Sequence, residues 1–396
     1  MKLSFTREHE KLRREVSDFI KSELAAGTFQ VKSKGIVSDR DIEFSRKMAD
    51  RGWIGFTWPN AYWGQGRSYV EKTILNEQLY KVQAPTGYHF LADRQVGPSI
   101  IHFGSDWQKE FFLPSISKVQ DGMMFCLLFS EPDAGSDLAG VSTTAKTEGD
   151  YFILNGQKVW SSEAHLADYG WLLAKTCFDP SVSAHKACSE FILDMKLPGV
   201  TVNPIINMAG EHSFNEVFLD NVRVHKKYLV GTENNGFKQI MAQVDYERAG
   251  IERLMQNYPV YDQLLNYVRS MNIEHKDSGF LEWVKDQMAQ LEVDFQTGRL
   301  LCYYTAWIID QGQKPTSQAG QCKIFCTQYE QRLNDIATRI LGPQSMILQK
   351  RSSKWSPLDI DVASCYLWQP SYTLQGGSVE VLKNIVAQRG LELPRN

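Results

Sequence analysis

Thiols and imidazoles are residue types that can do chemistry, but here their spacing forms no recognised motif. The seven cysteines are Cys126, Cys177, Cys188, Cys302, Cys322, Cys326 and Cys365. Their number is odd, and no pair has the CxxC spacing of a zinc or redox site. Cys322 and Cys326 stand four apart on a predicted helix, with no histidine near them in sequence to complete a metal site. Free thiols in a reducing compartment are therefore expected, and no metal. His89, His165 and His212 are scattered along the chain. Taken alone, Glu247-Arg248 reads as an ion-paired carboxylate at a helix, and Asp93-Arg94 as a buried ion pair. By the same standard Ser130 is a turn or strand hydroxyl and Trp160 an ordinary core residue.

The elements that must position such groups can be read from patterning. The 396 residues are 43% hydrophobic and 22% charged, with net charge −3. That is a globular composition, long enough for two or three packed units and too acidic for an electrostatic nucleic-acid or membrane-surface binder. The charged, amphipathic N-terminus lacks the apolar core of a signal peptide, and no run of about 18 apolar residues could span a bilayer. A cytoplasmic protein is expected. Leu3, Phe5, Leu12, Val16 and Ile20 recur at helical spacing, and residues 1–118 are predicted to be helical, with helices near 68–82 and 96–118. Residues 119–235 alternate short apolar runs with turns, the clearest at Glu148-Gly149-Asp150 and Asn155-Gly156. Residues 236–396 return to helical periodicity, with long stretches at 238–271, 280–311 and 316–341. A turn-rich tract from Gly342 to Pro357 then precedes a last helix near 378–389. The order is helical, β-rich, helical, an α+β chain.

Within the β region, Leu127-Leu128-Phe129-Ser130-Glu131-Pro132-Asp133-Ala134-Gly135-Ser136-Asp137 resembles a signature of the acyl-CoA dehydrogenase family. The similarity continues in register at Asn155–Ser162, Met208-Ala209-Gly210, Phe214–Val224, Leu229-Val230-Gly231 and Asn234-Asn235-Gly236-Phe237. Earlier pieces are Gly52-Trp53, Trp58-Pro59 and Phe103-Gly104-Ser105. The latest are Gly376-Gly377-Ser378 and Arg389-Gly390-Leu391. The resemblance covers nearly the whole chain. It implies a helical N-terminal domain, a β-barrel-like middle domain and a C-terminal four-helix bundle. It also implies FAD as cofactor and α,β-dehydrogenation of an acyl-CoA thioester. Electrons would pass to an electron-transfer flavoprotein, and the assembly would be a homodimer or homotetramer.

Carried over residue by residue, the family pattern implies flavin contacts from the backbone of Leu127 and Phe129 and from the Ser130 hydroxyl. Trp160 would pack flat on the flavin and Ser162 would donate near its N5. Ser136 would approach a phosphate arm where Gly135 permits close backbone approach, while Glu131 and Asp137 hold the loop together. Gly342, Gly376 and Gly377 complete the cofactor set. The family's commonest base is a Glu before the last helix, but here Gln375 stands in that place, and an amide cannot abstract a proton. A subset carries its base on the helix after the β domain, and Asp245-Tyr246-Glu247-Arg248 matches that pattern, making Glu247 the expected base, with a raised pKa before substrate activation. Glu380 is a weaker rival. Asp93, Arg94, Ser136, Tyr246, Arg248 and Gln375 are weaker substrate-binding candidates. A base on the helix frees room for branched, cyclic or ring-bearing acyl groups. The usual Arg-x-x-Phe-Gly turn is absent from Tyr267–His275, although a glycine turn persists at Leu341-Gly342-Pro343. That departure leaves room for a heteromer with a related chain. Two further outcomes stay open: a non-catalytic, FAD-supporting subunit, and a related flavin oxidase or decarboxylating dehydrogenase.

Overall fold

A computed structural model describes residues 4–31, 39–248, 250–271, 278–348 and 355–394, without the side chains of 243–249. In chain order the helices are α1 (Arg7–Ala25), α2 (Ile42–Ala49), α3 (Tyr69–Tyr80), α4 (Gly97–Phe103) and α5 (Asp106–Ser117). The strands follow as β1 (Phe125–Leu128), β2 (Thr144–Glu148), β3 (Tyr151–Lys158), β4 (Tyr169–Lys175), β5 (Cys188–Asp194), β6 (Val200–Ile206), β7 (His212–His225) and β8 (Leu229–Val230). Then come α6 (Gly236–Arg248), α7 (Tyr258–Ser270), α8 (Ser278–Asp310), α9 (Thr316–Leu341), α10 (Val362–Leu374) and α11 (Val379–Ile385). Two compact units result. One comprises Met1–Asp39, Ser68–Pro85 and Arg248–Asn396, the other Arg40–Arg67 and Thr86–Glu247.

The strands form one eight-stranded sheet in the order β6-β7-β3-β2-β4-β5-β8, with β1 parallel to β4. Alternation builds its core: Phe152 and Leu154 of β3 are buried while Tyr151, Ile153 and Asn155 between them are not, the period-two pattern of a sheet with one apolar face. Leu172, Phe191, Leu193, Val217 and Val222 join that core. Glu148 pairs with Tyr151, so Gly149-Asp150 is the predicted two-residue hairpin turn. Asn155-Gly156 is not a turn. It lies inside β3 at a register shift against β7, where a Cβ on Gly156 would stand 2.5 Å from the Thr143 hydroxyl. The glycine serves a bulge and a close crossing, a second use of the same dipeptide that period alone cannot distinguish.

In the other unit α9 is the central helix, packed against α7, α8, α10 and α11. The buried Glu77 carboxylate of α3 gathers Arg13 of α1 and Arg299 and Tyr303 of α8, and Asp310 accepts the Tyr69 and Val70 N–H groups at the start of α3. The predicted continuous helix at 238–271 is two helices, broken by the extended Gly250 and a short 3-10 turn at Ile251–Arg253. Helix α10 was not predicted at all. Pro370 lies inside it, and proline at mid-helix argues against helix in any sequence reading.

Candidate functional site

In the sheet-containing unit the structure brings most of the expected cofactor residues to neighbouring strand ends. Leu127 belongs to β1, and Phe129 and Ser130 follow it directly. The Ser130 carbonyl accepts the Val159 N–H at 2.9 Å, and the Phe129 carbonyl accepts Lys158 Nζ at 3.1 Å. The ends of β1 and β3 are thereby fastened together. Beneath them the Glu131 carboxylate takes the Ser142 N–H, the Ser142 hydroxyl, the Thr143 N–H and Lys158 Nζ, the last at 2.7 Å. Glu131 holds the loop, as expected. Burial alone would raise its carboxyl, but the Lys158 ammonium and these bonds hold it down to about 2. Burial lowers Lys158 to about 8 against the pull of Glu131. Asp137 is exposed, and it contributes a backbone carbonyl to Gly140.

Trp160 stands two residues after β3 and is 59% exposed. Its φ is +59°, and Glu163 three residues on has φ +55°. Left-handed backbone on two non-glycine residues in four costs on the order of 1–3 kcal/mol each and persists only where surroundings enforce it. The enforcing contacts come from β7. Asn215 donates its side-chain amide to the Ser161 carbonyl and accepts the Ser161 N–H with its backbone carbonyl, and Ser213 accepts the Glu163 N–H. Phe214 meets the Trp160 ring edge-on at 6.0 Å. The result is a flat aromatic face turned to solvent instead of to the core, the opposite of the fate a lone Trp would have. Next to it the Ser161 Oγ is buried without a hydrogen-bond partner, and Ser162 is half-buried. Nothing in the sequence announced the strained turn.

A small cavity of about 20 Å³ is lined by Gln95, Val96, Ser99, Leu127, Phe129, Trp171 and Ile240. It places two of the expected flavin contacts beside the π-helical turn Ala92–Val96, a backbone irregularity frequent at functional sites. On that turn Asp93 is buried, and its Oδ1 accepts the Gly55 N–H at 2.7 Å. Its neighbour Arg94 lies over the Phe90 ring at 5.2 Å. Ser136 is exposed, with open space around Gly135. Two of the three scattered histidines meet: His165 and His212 stack at 3.8 Å, with His212 Nε2 2.7 Å from Asn215 Oδ1. Burial, His212 and Arg40 lower the His165 pKa. His89 instead meets the Ser45 hydroxyl. Glu247, Tyr246 and Arg248 belong to α6, and their side chains lie outside the described residues.

The helical unit holds Gly342, Gln375, Gly376 and Gly377. Gly342 ends α9 at φ +57°, and its carbonyl accepts the Ser345 hydroxyl. Gly376 has φ +67°, and a Cβ there would meet the buried Arg253 guanidinium at 2.5 Å. Lys323, fully buried, donates to the Gly377 carbonyl at 2.8 Å and lies 3.4 Å from that of Thr373. The terminal loop is thus held by the buried Lys323 and lies close against the buried Arg253, which sequence spacing could not foretell. The Gln375 side-chain nitrogen is buried without a partner. Glu380 is exposed in the first turn of α11, a surface position and not the packing position expected of it. Cys302, Cys322 and Cys326, far apart in sequence, have their sulfurs 3.4–3.9 Å apart.

Residues 6–120 match the description "Acyl-CoA dehydrogenase, N-terminal domain", 126–222 the middle domain and 234–391 the C-terminal domain. Acyl-CoA dehydrogenase IpdE1 of Mycobacterium tuberculosis is 30% identical over 89% of this chain and 88% of its own length. Acyl-CoA dehydrogenase FadE26 of the same organism is 30% identical over 100% and 99%. Among solved structures, one titled "Tcur3481-Tcur3483 steroid ACAD" superposes with TM-score 0.88 at 28% identity over 100% of both chains. The ChsE4-ChsE5 complex from Mycobacterium tuberculosis gives 0.82 at 29%, also over 100% of both. FAD is the cofactor of this group of flavoproteins. The residues present fit it, because an exposed, strain-held indole offers a flat face on which a ring can stack. With its helical N- and C-terminal domains flanking a sheet-containing middle domain, the chain belongs to the acyl-CoA dehydrogenase family of FAD-dependent oxidoreductases.

Proposed function

We propose that this protein removes two hydrogens across the α,β bond of a ring-bearing acyl-CoA thioester, with Glu247 as the base. The observation that carries the reading is Trp160, presented to solvent on a left-handed backbone just after β3. Leu127, Phe129, Ser130, Ser136, Trp160 and Ser162 would hold the cofactor; Gly342, Gly376 and Gly377 are candidates by the family pattern alone. When bound, FAD supplies the two-electron acceptor for the hydride leaving the β carbon. The chain's own task is the α proton, which a thioester releases only to a positioned base while donors steady the charge growing on its carbonyl oxygen. Gln375 cannot take that proton, and Glu247 on α6, which matches the family's other base pattern, is the carboxylate proposed to take it. The ring-bearing substrate is supported by the helix-borne base and by the likeness to a structure whose title names a steroid ACAD. An electron-transfer flavoprotein is the proposed acceptor.

The test is anaerobic bleaching of the purified yellow protein by a panel of acyl-CoA thioesters. Bleaching by ring-bearing and not by linear acyl groups is expected. Glu247→Gln should keep the yellow colour and slow bleaching by about 10²–10⁴-fold. An unaltered rate in that variant removes Glu247 from the mechanism and turns attention to Glu380. Rapid reoxidation of the reduced protein by air would indicate an oxidase instead.

A second reading concerns assembly. The missing Arg-x-x-Phe-Gly turn, and two structural relatives whose titles each name a pair of proteins, support a heteromer in which a related chain completes the cofactor site.

A further inference from the structure

We propose that Cys302 of α8 and Cys322 and Cys326 of α9 form a three-thiolate site for a divalent thiophilic ion, zinc in the first instance. Two turns of α9 present Cys322 and Cys326 on one face, and α8 brings Cys302 against them. The Sγ separations are 3.4 Å for 302–322, 3.8 Å for 302–326 and 3.9 Å for 322–326. A tetrahedral ion with bonds of about 2.3 Å to sulfur sets its sulfur ligands about 3.8 Å apart. The triangle therefore matches three corners of such a site. Among the described residues no fourth His, Cys, Asp or Glu ligand atom joins them, so the fourth corner is left to water or to none.

Charge supports a divalent ion. Three thiolates and one divalent cation leave a single negative charge in a fully buried place, and a buried charge is costly unless compensated. The buried Arg253 acts on Cys322 with the required sign, while Glu252 from the same turn opposes it. Glu330 faces Cys326, but burial raises its carboxyl to about 8, so it is neutral at pH 7. Thiolate ligands select soft or borderline cations over magnesium or calcium. Binding releases the thiol protons to solvent and joins the two longest helices of the unit, so the ion would enter as those helices close and be retained once they have. This site is separate from the cofactor reading and does not depend on it.

The experiment measures metal in the full-length protein purified from zinc-supplemented culture and passed through EDTA. About one zinc per chain is expected, falling below about a tenth in Cys302→Ser. The wild-type protein, unfolded with chelator and refolded with cadmium alone, should show a thiolate-to-cadmium charge-transfer band of the same stoichiometry. Should Cys302→Ser fail to fold, Cys326→Ala replaces it, and the wild-type zinc content decides regardless. Wild-type protein carrying less than a tenth of an equivalent of zinc, with no cadmium band, overturns the proposal. So does zinc that persists undiminished in the cysteine variants, because it is then held elsewhere.

Discussion

At the scale of single residues, the Lys158–Glu131 pair shows how firmly the loop after β1 is held. Both side chains are almost wholly buried, 0% and 3% exposed. Removing one partner strands the other charge, a loss of about 3–5 kcal/mol, whereas replacing both is close to neutral. Lys158→Met should lower the urea midpoint accordingly, and Lys158→Met with Glu131→Gln should restore much of it. A single variant as stable as wild type would mean that the pair contributes nothing to holding the loop. Residue types and order were legible here, since Glu131 was expected to secure its loop. What could not be read was the partner, 27 residues away on β3, because a lysine at a strand end is ordinarily solvated. Trp160 is the converse case. Its identity was legible and its strained exposure was not, because left-handed backbone at a bulky residue depends on the neighbours that force it.

Elements tell a similar story. Long amphipathic helices such as α8 and α9 were legible because apolar period and length agree. The proline-bearing α10 and the bulge in β3 were not, because packing overrode the local signal. Helix α9 also carries Glu330, wholly buried and held by the Asn257 side chain at 2.7 Å. Burial raises its carboxyl to about 8, against the bonds from Asn257, from an ordinary value of 4.5. The folded protein therefore holds this proton more tightly than the unfolded chain. Its stabilising effect is complete below about pH 4.5 and is lost progressively as pH rises through 8. The melting temperature should fall over that window, and Glu330→Gln should flatten the fall. A slope unchanged in the variant would assign the pH dependence to other groups.

For the whole molecule, the order helical, β-rich, helical and the family were both legible, since motifs in register along nearly the full chain are hard to imitate by accident. Assembly was not, because it depends on surfaces a single chain does not show. On the heteromer reading, the protein expressed alone should retain well under one FAD per chain, and co-expression with a related acyl-CoA dehydrogenase chain should restore it. A homomer saturated with FAD after gel filtration would remove the heteromer reading and leave the dehydrogenase reading intact.

The cluster around Glu77 has a bearing on synthesis. Arg299 lies 222 residues beyond the carboxylate it serves, and Tyr303 follows one turn later. The ribosome delivers chain from the N-terminus first, so α1 and α3 emerge long before α8 adds its two donors to Glu77. The sheet unit can finish in that interval, while α1 and α3 wait with Glu77 matched by Arg13 alone. A nascent chain halted before α8 should therefore show a protease-resistant middle and a labile beginning.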